Sequence, residues 1–192
     1  LGGFVRHGDY FENDDYVLSS AVGHLVEIAA PEQYDVKRGK WSFTHLPVIP
    51  PHFDLKPIEK THDRLKQLTK LIKRKDVTSL INACDAGREG ELIFRLIVQY
   101  AKAKQPMQRL WLQSTPNAIR EGFANLRQGD ELNGLADAAR SRAEADWLVG
   151  INGTRAMTAF NSRDGGFYLT TVGRVQTPTL AVVVEREEKI RR

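Results

Sequence analysis

With only one cysteine, Cys84, the chain can form no internal disulfide. A single thiol suits a reducing compartment, and the expected location is the cytoplasm. Long apolar runs are also missing. None approaches the roughly 20 residues needed to span a bilayer, so no membrane is expected as a partner. No basic-then-apolar leader opens the chain. It starts at Leu1 rather than methionine, and is expected to begin inside a longer gene product. Low-complexity tracts and internal repeats are lacking, which excludes solenoid and disordered classes. What remains is 192 residues, 41% hydrophobic and 27% charged, with net charge +4. That is enough for one sizeable core, or one domain and part of another. The mild basic excess permits nucleic-acid binding without showing it.

Residues 16–29 (YVLSSAVGHLVEIA) are rich in β-branched and apolar side chains and read as extended structure broken at Gly23. Residues 31–57 hold five of the eight prolines: Pro31, Pro47, Pro50, Pro51 and Pro57. That density argues against regular structure, and Trp41, Phe43 and Phe53 call for an ordered loop that buries them. A helix is predicted over 58–75. Ile58, Leu65, Leu68, Leu71 and Ile72 share one face, and Lys66, Lys70, Lys73, Arg74 and Lys75 read as a solvated face. The run VTSLINA (77–83) suits a buried parallel strand. From Arg88 a helix resumes with Leu92, Ile93, Leu96, Ile97 and Tyr100 as its core stripe. Residues 108–113 (QRLWLQ) read as another strand. This rhythm is that of an α/β sheet with crossover helices.

The second part changes character. Thr115-Pro116 pairs an N-cap with proline at the first helical position. Residues 129–134 form a break and a domain boundary. An Ala-rich helix is predicted from 135 to 150 and on towards 160. Asp164-Gly165-Gly166 marks a turn. A last helix starts at Thr177-Pro178 with Leu180, Val183, Val184 and Ile190 on one face.

The chemistry concentrates in Asp85-Ala86-Gly87-Arg88-Glu89-Gly90-Glu91, where the predicted buried strand gives way to a helix. Ligands bind at the carboxyl ends of strands in open α/β sheets. Asp85 would leave the strand end and Glu89 would lie in the first helical turn. Two carboxylates so placed can share a hard divalent cation such as Mg²⁺, and Arg88 could neutralise charge on a phosphodiester. Acids in a first helical turn are also common because they suit the helix dipole. No G-x-G-x-x-G fingerprint is present, and acids stand where a pyrophosphate would sit. A nucleotide cofactor is therefore not expected.

The segment resembles the TOPRIM motif, D-x-D-R-E-G preceded by a glutamate on the first strand. TOPRIM domains occur in type IA and type II topoisomerases, primases and some nucleases. By position the resemblance makes Asp85 and Glu89 metal ligands, with Glu89 and Arg88 in catalytic roles. Position 87 departs from the pattern: glycine stands where a second aspartate is usual. Glu91 is the candidate replacement, although two residues along a helix it points away from Glu89. The early glutamate is expected upstream of Leu1.

Two later segments narrow the class. Residues 142–152 (RAEADWLVGIN) resemble the type IA segment R-x-x-x-D-W-L-x-G-x-N, and 173–180 (GRVQTPTL) resemble G-R-V-Q-[ST]-P-x-L. The resemblance covers essentially the whole chain, and the proline-rich stretch is similar to that of the topoisomerase III kind. It implies an α/β TOPRIM domain with a Rossmann-like parallel sheet over 1–128. A mainly α-helical domain that binds single-stranded DNA would follow over 129–192. It further implies Mg²⁺ as cofactor, a monomer, and a bacterial nucleoid-associated enzyme. That enzyme breaks and reseals single-stranded DNA through a 5′-phosphotyrosine without ATP, so as to relax or unlink DNA.

The DNA-binding residues it implies are Arg142, Asp146, Arg174, Gln176 and Thr177, with Arg155 as an extension. Arg142 and Asp146, four apart, can pair on one helix face. Arg155 taken alone reads as an exposed arginine, Trp147 and Leu148 as core, and Thr177 as a helix cap. His24 reads equally as a neighbour of the acids or as a structural histidine. Tyr10, Tyr16, Tyr34, Tyr100 and Tyr168 all lack the Y-x-R-T-D-S-like context of the family's nucleophile. A non-catalytic nucleic-acid-binding module and another TOPRIM enzyme, of nuclease or primase type, are the alternative readings.

Overall fold

A computed structural model describes residues 2–33, 41–111 and 115–191. Tyr34 and the end of the stretch read as a strand over 108–113 lie outside the described residues. Chain contacts divide the protein into two compact units. The first is Leu1–Glu27 with Leu55–Arg140, and the second is Ile28–Asp54 with Ser141–Arg192.

In the first unit, β1 (Val5–His7), β2 (Tyr10–Glu12) and β3 (Val17–Ser19) form an antiparallel meander. Gly8 sits at φ 65° in the first turn, which a glycine adopts without the steric cost of a Cβ. Strands β4 (Val26–Ile28) and β5 (Leu55–Pro57) form a two-stranded sheet, and the chain breaks before β4 at Gly23 (φ 85°), as the sequence predicts. Helix α1 (His62–Ile72) begins four residues later than the periodicity suggests, because a 3₁₀ turn at Glu59–Thr61 occupies the entry.

The core is Leu25, Val26, Leu65 and Ile97, packed against Leu68 and Ile72 of α1 and against Ile93, Leu96 and Tyr100. Burying a side chain such as Leu65, 1% exposed, is worth about 1.5–3 kcal/mol. The opposite face of α1 carries Lys66, Lys70 and Lys73 into solvent. Arg74 differs: it pairs with Glu12 and Asp76, and its hydrogen bonds hold both carboxyls below their usual range.

The site-bearing layer is β6 (Leu80–Asn82), α2 (Arg88–Ala101) and β7 (Met107–Arg109). β6 and β7 pair in parallel, Leu80 opposite Met107 and Asn82 opposite Arg109, and α2 is the crossover between them. A parallel neighbour requires such a crossover. β8 (Arg127–Gln128) adds an antiparallel edge to β7. The central strand β7 is thus parallel to β6 and antiparallel to β8, which makes this three-stranded sheet a mixed one within an α/β fold. Helix α3 (Pro116–Ala124) is capped as its sequence predicts, with the Thr115 hydroxyl accepting from the Ala118 N–H and Pro116 at the first helical position.

Helix α4 (Asn133–Asn161) is a single helix. Gly134 lies inside it, so the predicted break shrinks to a 3₁₀ turn, Gly129–Leu132. Its first turns count with the first unit and its remainder with the second. In the second unit the proline-rich segment lies along α4. The Asn152 side-chain amide accepts from the Val48 N–H (2.6 Å) and donates to the Val48 C=O (2.9 Å), pairing that backbone as a strand neighbour would. The Trp147 indole donates to the Ala29 C=O, and Phe53 meets its ring edge-on. Trp41 packs edge-on against Phe167, while Phe43 stays exposed, contrary to expectation.

A turn with Gly165 and Gly166 at positive φ leads back towards α4, where Val172 comes so close that a Cβ on Gly153 would lie 2.7 Å from its methyl. The last helix, α5 (Gln176–Arg191), begins one residue before the expected Thr177-Pro178 start and holds no buried residue. Its apolar side chains, Leu180, Val183, Val184 and Ile190 among them, are exposed, so the expected core stripe is not one here. No helix among the described residues is long and apolar enough to cross a membrane.

Candidate functional site

The acid turn lies between β6 and α2. Asp85, Arg88 and Glu89 are exposed, and the first turn of α2 carries Glu89 and Glu91. Gly90 makes the turn tight. A Cβ there would lie 2.1 Å from the Asp85 carbonyl oxygen, so only glycine lets the helix start sit against Asp85. Gly87 is extended, with open space around it. His24 places its Nε2 3.5 Å from Glu89 Oε2, which makes it a neighbour of the acids rather than a remote structural residue.

Glu91, weighed above as a third ligand, turns the other way. It is 2% exposed and its carboxylate accepts from Asn82 Nδ2 (2.9 Å) and Arg95 Nε (2.8 Å). Arg109 Nε stands 3.6 Å from the same carboxylate. Its oxygens are engaged within the fold, because a buried carboxylate needs such partners. Among the described residues no group of three or more His, Cys, Asp or Glu side chains could hold a metal. Two carboxylates at an exposed turn still fit Mg²⁺, which commonly takes one or two protein carboxylates and keeps several waters.

Sequence reasoning missed what lies beneath. Arg109, 1% exposed on β7, donates to the carbonyls of Asn82 (3.0 Å), Cys84 (2.8 Å) and Asp85 (2.6 Å) and to Asn82 Oδ1 (2.7 Å). Its guanidinium also lies 5.2 Å from the Trp111 ring centroid. Burial lowers the arginine's pKa, opposed by Glu91, and burial pushes the Cys84 thiol up. The available signal was an arginine inside a short apolar strand. Such a residue either faces solvent or is buried with partners.

In the second unit, Asp146 on α4 lies between two arginines. Arg142 Nε is 3.7 Å from Asp146 Oδ2, and Arg174 Nη1 donates to Asp146 Oδ1 at 3.0 Å and to the Arg142 C=O at 3.4 Å. All three side chains remain 41–43% exposed, and two arginines against one aspartate leave a positive excess. Gln176 and Thr177 are exposed at the start of α5, next along the chain. The Thr177 hydroxyl accepts from the Gly173 N–H (3.1 Å), so it ties the preceding turn instead of capping α5. Arg155 does not join this group. It is 7% exposed, paired with Glu32 and stacked 5.4 Å from Trp41, so the expectation of an exposed arginine is corrected.

A family model described as DNA topoisomerase matches residues 130–192. The chain is 45% identical over 184 residues to a DNA topoisomerase 3 of Bacillus licheniformis, covering 95% of this chain and 24% of that protein. It is 45% identical over 183 residues to the DNA topoisomerase 3 of Bacillus subtilis, again covering 24% of it. The chain thus spans about a quarter of the length of these curated relatives. In fold it resembles full-length topoisomerase I from Thermotoga maritima, with a TM-score of 0.57 at 23% identity. That match covers 90% of this chain and 26% of the other.

Proposed function

Because the chain belongs to the type IA DNA topoisomerases of the topoisomerase III kind along nearly its whole length, we propose that it supplies two parts of such an enzyme. One is the metal-binding acid turn, and the other is a surface for single-stranded DNA. The proposal assigns residues 1–128 to a TOPRIM domain and 129–192 to the start of the helical domain. The parent enzyme would act as a monomer on nucleoid DNA in the bacterial cytoplasm. It would break one strand through a 5′-phosphotyrosine and reseal it without ATP, because the covalent link conserves the energy of the broken bond.

The observation that carries the DNA reading is the Asp146 carboxylate set between Arg142 and Arg174. Asp146 fixes two guanidinium forks on a half-exposed surface without cancelling their charge. A planar fork with five donors suits a phosphodiester. Gln176 and Thr177 add donors at the α5 start, where free helix N–H groups favour anions. Arg155 is excluded from the proposed surface by its burial.

In the first unit, Asp85 and Glu89 would hold Mg²⁺, and Glu91 would not. When bound, the metal neutralises charge on a phosphate and orients its oxygens. Arg88, exposed on the same turn, would add a cation for the phosphate's charge. His24 sets an imidazole beside Glu89, its Nε2 3.5 Å from Glu89 Oε2.

The five tyrosines lack the nucleophile's sequence context. The purified chain with Mg²⁺ should therefore leave negatively supercoiled plasmid unchanged on an agarose gel. Relaxed topoisomers would overturn that expectation. Nicked circles carrying no bound protein would instead favour a TOPRIM nuclease.

A further inference from the structure

An arginine buried in a strand is an expensive choice. Packed apolar residues usually serve stability as well or better than a buried ion pair. Arg109 is nonetheless 1% exposed, and four of its hydrogen bonds go to the segment Asn82–Asp85. Three of the acceptors are consecutive or near-consecutive backbone carbonyls, the last of them the carbonyl of Asp85 itself. The remaining edge of the fork, Nε, finds no hydrogen-bond acceptor and faces Glu91 at 3.6 Å. Glu91 stands in the first turn of α2, two residues after Glu89, and is gripped from its other side by Arg95. Arg95 is in turn anchored to the Gly129 carbonyl at 2.7 Å.

We propose that Arg109 is the positioning residue of the acid turn. Its fork fixes the backbone that carries Asp85, and through Glu91 it fixes the helix start that carries Glu89. The two carboxylates are thereby held at one separation before any cation arrives. The proposal rests on the reading of Asp85 and Glu89 as metal ligands and gives that site its support. The Gly90 contact agrees with it: the helix start rides directly on the Asp85 carbonyl that Arg109 Nη2 holds. A lysine would keep the charge but could not gather several carbonyls in one plane.

The test is Mn²⁺ titration of the 192-residue chain, read from the electron paramagnetic resonance of the free ion, for wild type, Arg109→Lys and Asp85→Asn. Amide hydrogen exchange on the same samples compares residues 85–89 with 94–98. Asp85→Asn is expected to abolish tight binding. Arg109→Lys is expected to weaken it about tenfold or more, as loss of a partner behind metal ligands does. Exchange should quicken at 85–89 and not at 94–98. Wild-type affinity and wild-type exchange in Arg109→Lys would overturn the proposal. Exchange that quickens equally across both segments would also overturn it, because Arg109 would then support the unit as a whole. If wild type and Asp85→Asn bind Mn²⁺ alike, the metal reading fails, and exchange at 85–89 in Arg109→Lys still decides whether the arginine holds the turn.

Discussion

Glu91→Ala is expected to lower the unfolding free energy of the first unit by about 3–5 kcal/mol, the range for removing one partner from a buried ion pair. The carboxylate is 2% exposed and serves Asn82, Arg95 and Arg109 at once. Arg95, whose side chain is 21% exposed, can turn to water. Arg109, at 1%, cannot, and its charge would stay in the interior with its carbonyl acceptors but without the Glu91 counter-charge. Natural domains are stable by only about 5–15 kcal/mol, so this one substitution would remove a large share of the total. Glu91→Gln keeps the shape and one acceptor, and should cost less. Urea denaturation followed by circular dichroism gives the numbers. A loss for Glu91→Ala below about 1 kcal/mol, the scale of an exposed pair, would mean that water reaches Arg109 and that the network is not a buried one.

The second large effect is at Gly90. In an open helix, alanine is favoured over glycine by about 1 kcal/mol. Here the added Cβ would lie 2.1 Å from the Asp85 carbonyl oxygen and 2.9 Å from the Asp85 nitrogen. Both are backbone atoms, which cannot swing aside as a side chain could. The turn itself has to open. Overpacking of this kind usually costs about 1–3 kcal/mol, and a backbone obstacle puts Gly90→Ala at or above the upper end. The shift falls on Asp85, so the variant should lose Mn²⁺ affinity by about tenfold or more as well. Thermal melting and the titration described above measure the two effects. A variant as stable as wild type with unchanged affinity would show that the turn is looser than its geometry.

How much of this was legible in the sequence follows from which interactions are local. The β6–turn–α2 unit was readable because VTSLINA is apolar and Leu92, Ile93, Leu96 and Ile97 recur at helical spacing. The Thr115 cap and the Gly165-Gly166 turn were readable for the same reason: each is decided within four residues. The meander β1–β3 was not foreseen as such. Its strands are three residues long, and β1 is fully exposed, so alternation has no length in which to show.

The partners of Asp146 were half legible. Arg142 is one helical turn away, whereas Arg174 arrives from 28 residues on. Arg155 was misjudged as exposed because its partners, Glu32 and Trp41, lie more than a hundred residues earlier. Arg109 was missed for a related reason. The carbonyls it holds are set by the register of β7 against β6, and no spacing rule encodes that register. On α5, valines and leucine at helical positions promised burial, yet those positions are exposed in this chain. Apolar periodicity shows that a face is fit for burial, not that a partner covers it.

The most direct test of the account is the affinity of the chain for single-stranded DNA. A fluorescein-labelled single-stranded oligonucleotide and its duplex form would be titrated at one fixed salt concentration, with wild type and Arg174→Ala, by fluorescence anisotropy. The account predicts that wild type prefers the single strand. Arg174→Ala should weaken that binding by about 1–3 kcal/mol, the scale of a charge-assisted contact, with an unchanged circular dichroism melt. Equal affinity for both forms, or an Arg174→Ala chain that binds as wild type does, would contradict it.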